Sequence, residues 1–95
     1  MNNNIKYSHI FEIYRDGKVD LIQKELRKGL IDPLNAMIMF ASWGYLEGIE
    51  EVNRFQSLQE YPMVFYLAAQ GNHFDCIKFL NQNHYQYDSR TILAA

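Results

Sequence analysis

The chain has 95 residues, enough for one domain, and 48% of them are apolar, so it folds rather than staying disordered. Its net charge of −2 lacks the basic footprint that a general nucleic-acid binder uses to hold phosphates. The lone cysteine, Cys76, excludes an internal disulfide and points to a reducing, cytoplasmic setting; no apolar run approaches the roughly 18 residues of a membrane helix, and the first residues lack the apolar core of a signal peptide.

Taken in chain order, every periodic segment reads as helix. Ser8 can cap a first helix that runs through Tyr14 and breaks at Asp16-Gly17-Lys18. A second helix spans Val19 to Lys28 with Leu21, Ile22 and Leu26 on one face, and Gly29 supplies a left-handed stop. Asp32-Pro33 is a strong helix start, because Asp caps and Pro at the first helical position gives up no bond. The helix from Pro33 to Ser42 is almost wholly apolar, which predicts burial on every side between neighbours. Trp43-Gly44-Tyr45 turns the chain, and residues 46–56 form an amphipathic helix. Pro62 to Gln70 is again nearly all apolar, Gly71-Asn72 turns it, and Phe74 to Asn83 places Cys76, Ile77, Phe79 and Leu80 inward. Asp88-Ser89 looks like another cap, and Arg90 to Ala95 like the opening of a further helix. No segment alternates with period two, so strands are not expected.

The turn residues Gly17, Gly44 and Asn72 recur at a nearly constant interval, and each is flanked by a helix on both sides. The interval falls in the range that predicts stacked helical hairpins, each burying a face on the next. Small residues at Ala41, Ala68 and Ala69 let neighbouring pairs approach closely.

Residues 68–80, Ala-Ala-Gln-Gly-Asn-His-Phe-Asp-Cys-Ile-Lys-Phe-Leu, resemble the two-helix core of an ankyrin repeat. Ala68-Ala69 match the family's alanine pair, Asn72 takes the turn glycine's place, and His73 falls on the family's histidine. The likeness is strongest in that copy, fair around Phe40–Ile49, and weak around Ile13–Ile22. It implies an all-α solenoid of three short ankyrin-like helix–turn–helix repeats (about 8–32, 33–60 and 61–87) plus a C-terminal helix from a partial fourth (88–95). The family's Thr-Pro-Leu-His opening is absent, and the period is shorter than the family's roughly 33 residues. The projecting fingers are therefore expected to be short or missing.

The chemistry that such a chain could carry is limited. His73 and Cys76 are three apart and could share a helix face, as in a small enzyme, but a metal site needs three or four ligands, and the flanking Phe74, Ile77 and Phe79 suggest a buried thiol with His73 bonding a turn backbone. No catalytic residue, cofactor or metal is expected. A DNA-reading helix–turn–helix is the other alternative; the helix over 46–56 presents Glu47, Glu50 and Glu51, which phosphates repel.

The remaining expectation is binding. In ankyrin proteins the residues before each turn lie on the concave recognition face, which by resemblance implicates Arg15, Asp16, Ser42, Trp43 and Gln70, with Tyr45 across the turn from Trp43. A tryptophan there is suited to be a hot spot. Half of the 14 aromatics fall in residues 61–95, beside few charges, so a second copy could also pair through the C-terminal end. The expected function is a non-enzymatic module that binds another protein, as a small stoichiometric inhibitor or adaptor of the sort a phage or pathogen directs at a host protein.

Overall fold

The computed structural model describes residues 19–87. The first predicted helix, the turn at Gly17 and the segment 88–95 lie outside the described residues. Within them are five helices and no strand: α1 (Val19–Lys28), α2 (Pro33–Trp43), α3 (Leu46–Phe55), α4 (Pro62–Gln70) and α5 (Phe74–Gln82). Each matches its expected span to within one residue at either end.

Each helix begins and ends for local reasons. Asp32 caps α2, its carboxylate accepting from Asn35 N–H at 3.0 Å, and Pro33 and Pro62 open α2 and α4. Four helices end alike. Gly29, Gly44, Asn72 and His84 adopt the left-handed conformation (φ +73°, +74°, +57° and +64°). The next residue's N–H then reaches back along the chain, Leu30 to Glu25, Tyr45 to Phe40, His73 to Ala68 and Tyr85 to Leu80, at 2.9–3.0 Å. This satisfies carbonyls that the helix end would otherwise orphan. Asparagine tolerates this conformation better than most residues with a side chain, so Asn72 can end α4 as Gly44 ends α2. Helix α3 ends differently: Gln56 is extended (φ −157°), which carries the chain on to bury Leu58.

The helices pack in two layers. α1 packs on α3 and α3 on α5, forming a back layer; α2 packs on α4, forming a front layer; the hairpins α2–α3 and α4–α5 join the two. The core lies between the layers, with Phe40, Met37, Ile22, Ile49, Val52, Val64, Cys76 and Leu80 fully enclosed. Ala36, Ala41, Ala68 and Ala69 are buried where the front helices approach closely.

Loops follow the same period. Ile31, Leu58 and Tyr85 recur at an equal interval along the chain and are all buried, at 1–3% exposure. Each pins its loop beneath the stack. The third is a tyrosine whose hydroxyl donates to Asn53 Oδ1 (2.8 Å) and accepts from Leu58 N–H (3.2 Å). Gln86 N–H donates to Gln59 O, and Gln59 Nε2 to Asn83 O, so the last two loops are bonded to one another.

One expectation is corrected here. α2 and α4 are not buried on every side. Among the described residues, neighbours cover them from behind and along one flank, and a stripe of each helix stays exposed in part. Asn35 and Ser42 on α2, and Met63 and Gln70 on α4, are exposed.

Candidate interaction surface

The exposed stripe follows from the helix faces of α2 and α4. On α2 the buried residues Ala36, Met37, Phe40 and Ala41 define one face; on α4 their equivalents in the next repeat are Val64, Phe65, Ala68 and Ala69. At 100° per residue the opposite face carries Asn35, Ile38 and Ser42 on α2 and Met63, Tyr66 and Gln70 on α4. Two turns of each helix thus present three equivalent positions side by side. Ile38 and Tyr66 are half-buried, and Met63 is 47% exposed. Ser42 Oγ donates to Ile38 O at 2.9 Å, and Gln70 Nε2 to the Tyr66 hydroxyl at 3.4 Å, a long bond.

Of the residues expected to bind, Ser42 and Gln70 lie on this stripe. Trp43 and Tyr45 sit at its edge, half-buried against the core. The Trp43 ring meets Phe40 at 6.1 Å between centroids, and the Tyr45 ring stands edge-on to Phe40 at 5.3 Å. Both aromatics therefore spend much of their surface on packing. Gly48 makes room for this cluster, since a Cβ there would lie 2.7 Å from the Phe40 and Tyr45 rings. Arg15 and Asp16 lie outside the described residues. Sequence reasoning missed Ile38, Met63 and Tyr66. The signal for Ile38 and Tyr66 was present: they occupy the same place in successive repeats, one helical turn before Ser42 and Gln70, and so share their helix faces.

His73 fastens the two turns together. Its Nε2 lies 3.0 Å from Ser42 O, the arrangement of an N–H donating to that carbonyl. Its ring fills the space over Gly44 and Gly71, where an added Cβ would come within 2.4 Å of Nδ1 and Nε2 respectively. This bond ties one ring nitrogen of His73 to a turn backbone. Cys76 is itself fully buried; burial first, then the Asp75 carboxylate and more distantly Glu47 and Glu50, pushes its thiol up to about 12. At neutral pH it is protonated and not a nucleophile. Among the described residues no three His, Cys, Asp or Glu converge as metal ligands.

On the back layer, Glu50, Asn53, Arg54 and Phe79 line a shallow groove of about 280 Å³. Arg54 pairs with Glu51 one turn away on the same helix, and Glu51 O accepts from Gln23 Nε2 at 2.6 Å, which ties the acidic helix to α1. Further large apolar side chains are exposed toward the C-terminal third: Tyr61, Phe74 (74% exposed) and Tyr87, whose ring also touches Phe65. No helix among the described residues is long and apolar enough to cross a membrane.

No protein-family model, curated protein or solved structure matches the chain.

Proposed function

We propose that this chain is a non-enzymatic protein-binding module, a short ankyrin-like solenoid that acts as a stoichiometric inhibitor or adaptor. The observation that carries the reading is the open stripe on α2 and α4, where helices whose composition suits full burial leave Ile38, Met63 and Tyr66 facing outward. An amphipathic stripe on rigid, stacked helices is what repeat proteins offer to partners. The equivalent turns at Gly44 and Asn72, the His73 bond to the preceding turn, and the evenly spaced ladder Ile31, Leu58, Tyr85 support a stacked repeat over an irregular bundle.

The test is capture from lysate of the source cell with the wild-type chain and with Met63→Lys and Tyr66→Lys, followed by titration of the captured protein in purified form. Each variant should keep its helical circular dichroism yet lose the partner, and the wild type should saturate at one to one. A partner held equally well by both folded variants would defeat the reading. Glu50→Lys, on the opposite layer, should bind as the wild type does.

A further inference from the structure

We draw no further inference here: the strongest candidate, the shallow groove of about 280 Å³ between α3 and α5 lined by Glu50, Asn53, Arg54 and Phe79, carries nothing, because Arg54 is already paired with Glu51 and Asn53 with the Tyr85 hydroxyl, and nothing in the structure shows what would fill it.

Discussion

Three glycines separate the cost of backbone conformation from the cost of crowding a single histidine. Gly29 has φ +73° and open space where a Cβ would go. Gly71 has an ordinary φ of −90°, but its Cβ would lie 2.4 Å from His73 Nε2. Gly44 combines both penalties, with φ +74° and a Cβ 2.4 Å from His73 Nδ1. Gly29→Ala should therefore cost about 1–2 kcal/mol, the penalty of a left-handed alanine. Gly71→Ala must displace the imidazole, at about 1–3 kcal/mol for overpacking, and endangers the bond to Ser42 O. Gly44→Ala should cost about 2–5 kcal/mol, the sum of the two effects. The decisive comparison is the same set in a His73→Ala background. There Gly71→Ala should change sign and stabilise by about 0.4–1 kcal/mol, since it only narrows the unfolded ensemble. Gly44→Ala should fall to the cost of Gly29→Ala. Urea unfolding followed by circular dichroism measures all of this, and the coupling term is the double-mutant difference. If Gly71→Ala costs the same with and without His73, the imidazole does not fill that space and the clamp between the turns is wrong.

The buried thiol makes alkaline stability a second test. Cys76 deprotonates near 9.0 when unfolded and near 12 when folded, so the unfolded chain releases its proton first; this stability is fully present below pH 9 and is lost as pH rises toward 12. At pH 10 the loss is about 1.4 kcal/mol, and Cys76→Ala should abolish that component of the pH profile of urea midpoints; an unchanged slope would refute it. Burial also raises Tyr85, against a lowering by its bond from Leu58 N–H, so a further decline above pH 10 should survive in Cys76→Ala and vanish on adding Tyr85→Phe. Tyr85→Phe alone should cost about 1–3 kcal/mol at neutral pH because the buried Leu58 N–H loses its acceptor, and a neutral outcome would mean that water replaces the hydroxyl. Asp32→Ala should cost about 1 kcal/mol by uncapping α2, with Asp32→Asn recovering most of it; equal losses in both would point to charge rather than capping.

The helices were legible in the sequence because their punctuation is local. Asp32-Pro33, Gly29, Gly44 and Gly71-Asn72 act through their own backbone and the adjacent turn, so composition along the chain suffices to place them. The stacking of turns was half legible. The spacing of Gly44 and Asn72 implied equivalent turns, and a turn-bonded His73 was foreseeable, but not that its imidazole would fill the space over two glycines, which depends on how closely the hairpins approach. Tyr85 was illegible as a loop anchor. Its counterparts Ile31 and Leu58 are aliphatic, and nothing local says that a tyrosine takes the same buried place with its hydroxyl on Asn53.

The open stripe was hidden for an instructive reason. Hydrophobicity summed around α2 and α4 is high and nearly uniform, and a uniform apolar helix has no face that composition can mark as exposed. What marks it is the comparison between copies. The positions that bury Ala36, Met37, Phe40 and Ala41 hold Val64, Phe65, Ala68 and Ala69, apolar in both, whereas Asn35 pairs with Met63, polar with apolar, and Ser42 with Gln70, polar in both. A core position must stay apolar in every copy because each hairpin buries it against the next. A position that admits a polar residue is released from that demand, and in α2 and α4 that release is the sequence trace of the exposed face. Trp43 drew attention because it is large and unique, yet its ring lies against Phe40. Ile38 and Tyr66 are less conspicuous residues, and each lies on the face of its helix opposite the buried one.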